Sequence, residues 1–101
     1  MKRIGVITSG GDSPGMNAAL RGVVRAALGR GAEVTGFMHG WRGVISGETV
    51  PMSSSTVSGI VDRGGTLLHT ARCPEFREPE GRQQAVDSLR EAGVEGLVVI
   101  G

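Results

Sequence analysis

Four short apolar runs alternate along this chain with stretches whose apolar residues recur every three or four positions. Ile4 to Thr8 is rich in β-branched residues and stops at Ser9-Gly10-Gly11, the signature of a buried parallel strand. Ser13-Pro14 supplies a serine N-cap and a proline at the first helical position. Met16, Leu20, Val23, Val24, Ala27 and Leu28 then keep helical spacing, which predicts a helix from about Pro14 to Arg30, stopped by Gly31. Glu33 to Met38 reads as a second strand and His39 to Gly43 as a loop. Val50 to Ser55 reads as irregular or weakly extended, Thr56 to Arg63 as a short helix ended by Gly64-Gly65, and Thr66 to His69 as a short strand. Pro79 opens a second long helix whose expected buried face is Ala85, Val86, Leu89 and Ala92, with Gly93 as its stop. Gly96 to Ile100 is a final, very apolar strand. The order β-α-β, α-β, α-β predicts a three-layer, Rossmann-like α/β fold. Its sheet is expected to be parallel, with right-handed crossovers and helices on both faces, truncated after the last strand.

Ligands of such sheets gather beyond the carboxyl ends of the strands. Three expected strands end in suggestive residues: Ser9 to Ser13, Thr70 to Cys73, and Gly101.

Composition narrows the function classes. The chain has 101 residues, one domain at most or part of a larger one. A net charge of +1 gives no basic field for nucleic acid or an anionic membrane. The aromatics Phe37, Trp41 and Phe76 are too few for a base-stacking platform. The single cysteine, Cys73, excludes an intramolecular disulfide and fits a reducing compartment. No segment approaches the roughly 20 apolar residues of a membrane span, and the N-terminus lacks a signal-length apolar core. The expectation is a soluble, cytoplasmic protein.

The 18 glycines punctuate the ends of apolar runs rather than forming a low-complexity tract. Gly10 and Gly11 lie between a strand and a helix N-terminus, whose free N–H groups suit phosphate. Geometry alone leaves phosphate binding and a plain tight turn both open. Gly10 and Gly15 have P-loop spacing, but Met16 and Asn17 stand where lysine and a hydroxyl residue belong. Asp12 breaks a dinucleotide fingerprint counted from Gly10, and Met38-His39 replaces the acid expected after its second strand. A nicotinamide-binding module is thereby disfavoured. Arg21 and Arg25, one helical turn apart, form either a solvated basic face or an anion site. Arg72 is open between a surface ion pair and phosphate contact. His39 and His69 are too few for a metal site and read as structural, as does Trp41.

Ile4 to Ala19, Arg21-Gly22-Val23-Val24-Arg25, Arg63-Gly64-Gly65-Thr66, Ala71 to Phe76 and Gly96 to Gly101 together resemble the bacterial ATP-dependent 6-phosphofructokinases, in order and over essentially the whole chain. The resemblance implies that residues 1–101 form the N-terminal part of a nucleotide-binding domain. It implies a parent enzyme that transfers the γ-phosphate of Mg-ATP to fructose 6-phosphate in glycolysis. It gives Gly11 a contact with ATP, Arg72 phosphate contact and transition-state stabilisation, and Cys73 an adenine-nucleotide contact through its position. It gives Arg21 and Arg25 the phosphates of an ADP or phosphoenolpyruvate effector at a subunit interface, hence a homo-oligomer.

Two departures qualify the resemblance. An arginine and an aspartate of the family's effector pocket are replaced by Ser54 and Gly59, so weakened effector binding is expected. The family's magnesium-binding aspartate, catalytic base and sugar-phosphate arginines fall beyond Gly101. The isolated chain is therefore expected to be catalytically inactive, with no metal ligand of its own. Two alternatives stand beside this reading. One is a truncated nucleotide-binding or self-associating interaction protein. The other is a pyrophosphate-dependent relative.

Overall fold

The computed structural model describes residues 2–9, 15–58, 67–69 and 73–101. In chain order the elements are β1 (Arg3–Thr8), α1 (Met16–Gly29), β2 (Glu33–Phe37), α2 (Gly40–Ser46), β3 (Thr49–Met52), a 3-10 turn (Pro74–Arg77), α3 (Pro79–Glu91) and β4 (Gly96–Ile100). They form an α/β fold around a four-stranded sheet of order β3-β2-β1-β4. β1 pairs in parallel with β2, Val6 opposite Gly36, and with β4, Val6 opposite Val98.

The sheet is mixed rather than wholly parallel. β3 runs antiparallel to β2, with Val34 opposite Met52 and Phe37 opposite Thr49. The segment expected to be irregular or weakly extended is thus, through Met52, an edge strand. It is short, and Pro51 within it cannot donate to a further strand, which fits an edge position.

Strand alternation divides the core into two layers. On one face Val6 and Val34 pack with Leu20, Val24 and Ala27 of α1 and with Met52, Val57 and Leu68. On the other, Ile7 and Phe37 pack with Val44 of α2 and Ala85 of α3. Helices therefore cover both faces, as the alternation of elements predicts. The three α-helices among the described residues close alike: Gly31, Gly47 and Gly93 take positive φ of 80°, 75° and 72°. The following N–H groups of Ala32, Glu48 and Val94 return to Ala27, Gly43 and Leu89 carbonyls at 2.8–3.0 Å. Glycine is favoured there because the left-handed conformation costs a Cβ-bearing residue about 1–2 kcal/mol.

Several local expectations change or fall outside the described residues. α1 begins at Met16 with Gly15 at its cap position, and Ser13 and Pro14 lie outside the described residues. The expected loop from His39 to Gly43 instead turns sharply at His39, φ 63°, and starts α2. Its glycines, which suggest a loop in sequence, allow α2 to lie close on its neighbours. Leu67 and Leu68 form a turn, not a strand, because both flanks of β1 are already taken by β2 and β4. Leu68 is 1% exposed and plugs the core beneath Gly36. Val86 of α3 is 40% exposed, while Gly81 and Ala85 provide the buried contact. The expected helix from Thr56 to Arg63 shows turns through Ser58, and its remainder lies outside the described residues.

Candidate functional site

The carboxyl ends of the three parallel strands meet at one edge of the sheet. The Ser9 N–H donates to the Ile100 carbonyl at 2.8 Å, tying the exit of β1 to that of β4. A Cβ on Gly101 would overlap the Ser9 carbonyl oxygen and meet Met16 Cε at 3.1 Å, so the start of α1 borders the same edge. α2 comes up to β1 through Gly40, where a Cβ would stand 3.1 Å from the Thr8 carbonyl oxygen.

Residues 67–69 lie over this edge without joining the sheet, and three elements hold their backbone. Asn17 Oδ1, in the first turn of α1, accepts the Leu67 N–H at 2.7 Å. The His39 N–H, at the end of β2, donates to the Leu68 carbonyl at 2.8 Å. The Thr8 hydroxyl, at the end of β1, donates to the His69 carbonyl at 2.9 Å. Thr8 and Asn17 are 0% and 1% exposed. Burial on that scale costs a polar group heavily unless it is bonded. His39 and His69 both have positive φ, 63° and 59°. Their rings stack with centroids 5.8 Å apart. His39 Nδ1 also approaches Glu48 Oε2 at 3.5 Å, a contact that is ionic only when the imidazole is protonated.

Cys73 opens the 3-10 turn that brings Phe76 onto Trp41 of α2, ring centroids 4.0 Å apart and nearly parallel. Such stacking fastens residues 73–77 to the helix that begins at the end of β2. Burial pushes the Cys73 thiol above its ordinary pKa. The Phe76 backbone N–H opposes this, the Glu75 carboxylate adds to it by hydrogen bond and charge, and Arg42 opposes it weakly. The Sγ–Oε2 distance to Glu75 is 3.6 Å. A raised pKa keeps the sulfur as unreactive thiol at neutral pH. Iodoacetamide at pH 7.5 should thus alkylate the folded chain several-fold more slowly than the urea-unfolded chain, roughly in proportion to the lost thiolate. The folded rate should climb as pH is raised toward alkaline values. Equal rates in the two states at pH 7.5 would contradict this environment.

The residues singled out in the sequence are placed as follows. Gly11, Arg72 and Gly59 lie outside the described residues. Cys73 is half-buried, with Glu75, Phe76 and Arg42 around its thiol. Arg21 is half-buried and Arg25 exposed on α1, and neither joins an ion pair among the described residues. Ser54 is exposed in a turn closed by Ser53 Oγ, which lies 2.9 Å from Ser55 Oγ and 3.0 Å from Thr56 Oγ1. Sequence reasoning passed over Thr8 and Asn17. A signal exists for Asn17: it occupies the stripe 17, 20, 24, 27, where the other three residues are buried and apolar. Thr8 looks like an ordinary β-branched strand residue and carries no such mark.

The description Phosphofructokinase belongs to the family model that matches residues 3–101. ATP-dependent 6-phosphofructokinases of Bacillus thuringiensis (strain Al Hakam) and Bacillus cereus (strain B4264) are 57% identical over all 101 residues. The chain spans 32% of the length of these relatives. Among solved structures, phosphofructokinase from Saccharomyces cerevisiae matches 98% of this chain with 14% of its own, at 46% identity and a TM-score of 0.93. Phosphofructokinase of Pichia pastoris in the T-state matches 97% of this chain with 11% of its own, at 44% identity and a TM-score of 0.93. By family-model match, identity and fold, this chain belongs to the phosphofructokinase family.

Proposed function

We propose that this chain provides the nucleotide side of an ATP-dependent 6-phosphofructokinase, which transfers the γ-phosphate of ATP to fructose 6-phosphate. The convergence of Ser9, the start of α1 and residues 67–69 at the carboxyl ends of parallel strands supports this reading. In such sheets that edge is where ligands bind. In this reading Gly11 lies against ATP, Cys73 contacts the adenine nucleotide by position, and Arg72 meets the phosphates. A guanidinium is suited to that task because it offers planar, permanently charged donors.

ATP as donor fits the names of the relatives, and magnesium would accompany it. Magnesium is usually held by one or two carboxylates together with substrate phosphates. Among the described residues no group of three or more His, Cys, Asp and Glu could hold a metal ion. No step is derived through magnesium. Phosphoryl transfer needs donor, acceptor and charge neutralisation held together. A sugar site and a catalytic base belong in this reading to segments outside this chain. The reading also takes in a homo-oligomer, a cytoplasmic location, and a phosphate effector at Arg21 and Arg25, weakened because Ser54 cannot pair with phosphate as arginine does. Among the described residues no helix is long and apolar enough to cross a membrane.

A titration of the 15N-labelled chain with Mg-ADP, followed by amide correlation spectra, tests this. Dispersed peaks should move at residues 10–15 and 72–73, with smaller shifts at Arg21 and Arg25. The chain alone should show no fructose-6-phosphate-dependent ATP hydrolysis above a heat-killed control. A dispersed spectrum that ignores Mg-ADP would favour a non-catalytic interaction protein. Sugar-dependent hydrolysis would show that the chain carries more of the machinery than proposed.

A further inference from the structure

We propose that Arg82 is a positioning residue for the adenine-nucleotide contact of Cys73, an inference that rests on the nucleotide reading above. Cys73 is followed at once by the 3-10 turn Pro74–Arg77. A turn that short is held by few bonds of its own. The Cys73 carbonyl accepts the Phe76 N–H at 3.1 Å, and the Glu75 carbonyl accepts the Glu78 N–H at 3.1 Å. The next two carbonyls are taken by a single side chain. Arg82 Nε donates to the Phe76 carbonyl at 2.9 Å and Arg82 Nη2 to the Arg77 carbonyl at 3.0 Å.

The Nε–H and one Nη2–H leave the same edge of the planar guanidinium side by side, so Arg82 spans two consecutive carbonyls as a fork. A lysine ammonium has the charge but not the fork. Arg82 is exposed near the start of α3, so its donors serve the turn rather than the core. The turn lies close on α3 because position 81 has no side chain. A Cβ on Gly81 would overlap the Glu75 carbonyl oxygen and stand 3.2 Å from the Phe76 nitrogen. From the other side, the Phe76 ring stacks on Trp41 of α2, centroids 4.0 Å apart. The turn is thereby fixed between two helices, and Cys73 at its head is fixed with it. A ligand contact made by position, without thiol chemistry, depends on a backbone that is set before the ligand arrives.

Amide-shift titrations of the full chain with adenosine and with Mg-ADP compare wild type, Arg82→Lys and Gly81→Ala. Arg82→Lys keeps the charge and should weaken both probes alike, roughly fivefold, the worth of one typical hydrogen bond. It should also speed the alkylation of Cys73 by iodoacetamide and flatten the near-ultraviolet circular dichroism of Trp41, because the thiol and the Phe76 ring move with the turn. Its urea midpoint should stay near that of wild type, since Arg82 is exposed. Gly81→Ala should act in the same direction by pushing the turn off α3; if it unfolds, Arg82→Lys decides the matter. Loss for Mg-ADP with adenosine unaffected would make Arg82 a direct phosphate ligand and overturn the proposal. Wild-type affinity for both probes in Arg82→Lys would overturn it as well. So would a lowered urea midpoint with unchanged alkylation of Cys73, the mark of a merely structural role. A folded wild type that binds neither probe would overturn the nucleotide reading itself, and this proposal with it.

Discussion

Alanine at Gly43 is expected to destabilise the fold by about 4 kcal/mol or more, among the largest effects a single methyl group produces. Helix propensity alone predicts the opposite sign, because glycine inside a helix costs about 1 kcal/mol relative to alanine. Packing decides against propensity. A Cβ on Gly43 would overlap the Met38 carbonyl oxygen and stand 2.7 Å from its carbon. The obstacle is backbone, so no rotamer change relieves it. The Met38 peptide is itself held: its N–H donates to the Glu48 carbonyl at 2.9 Å. The next residue, His39, is in the left-handed region and bonded to Leu68. Relief would therefore have to move α2 away from β2 or undo that turn. A domain of this size is stable by only about 5–15 kcal/mol, so the variant should lose much of its urea resistance. Gly22→Ala is the matched control. Gly22 is exposed in the interior of α1 with nothing within 4 Å of a new Cβ, and alanine there should add about 0.5–1 kcal/mol. Urea unfolding followed by helical circular dichroism separates the two. An unchanged midpoint for Gly43→Ala would mean that α2 does not lie where it is described.

Phe37→Ala should cost about 3–5 kcal/mol, the range for removing a fully buried aromatic ring. Phe37 is fully buried at the end of β2, in the layer that joins Ile7 to Val44 and Ala85. Its ring lies against β1 where Gly5 has no side chain: a Cβ there would be 3.1 Å from Phe37 Cε2. Removing the ring opens a void that β1 cannot fill from its own residues. Val86→Ala is the useful contrast. Val86 belongs to the same helical pattern that sequence reasoning buried, yet it is 40% exposed. Its loss should stay within about 0.5 kcal/mol of neutral. Calorimetric or urea measurements that rank Val86 above Phe37 would reverse the assignment of the faces of α3 and β2.

What was legible in the sequence was whatever a local period encodes. The stripe of α1, the proline start and glycine stop of α3, and the apolar runs of β1, β2 and β4 are all local, and each is found. The direction of β3 is not local. Val50 to Met52 pairs antiparallel because α2 turns the chain back along β2, and α2 was hidden by two glycines that serve close approach rather than a loop. Leu67 and Leu68 look like a strand because they are apolar, but burial on a sheet face and membership of the sheet leave the same mark in a sequence. Motif resemblance points to Gly11, Arg21, Arg25, Arg72 and Cys73 as candidate site residues, of which Gly11 and Arg72 lie outside the described residues. The polar ties of Thr8 and Asn17 were not legible, since they join residues separated by 61 and 50 positions.

The reversal of β3 gives the sheet two chemically different shores. Strands of five residues are about 17 Å long. β1, β2 and β4 deliver Thr8, His39 and Gly101 to one shore, whereas β3 carries the hydroxyl-rich turn at Ser53 to Thr56 to the other. α1 starts at the first, where Asn17 grips Leu67, and runs about 21 Å to finish at the second, where Ala27 and Leu28 pack near Met52. A helix is stiff over that distance. A tilt of its far end is therefore transmitted to Asn17, and through its hydrogen bond to Leu67. α1 thus joins the two shores as one stiff rod, with the Asn17 hydrogen bond in its first turn and Ala27 and Leu28 packed at its other end.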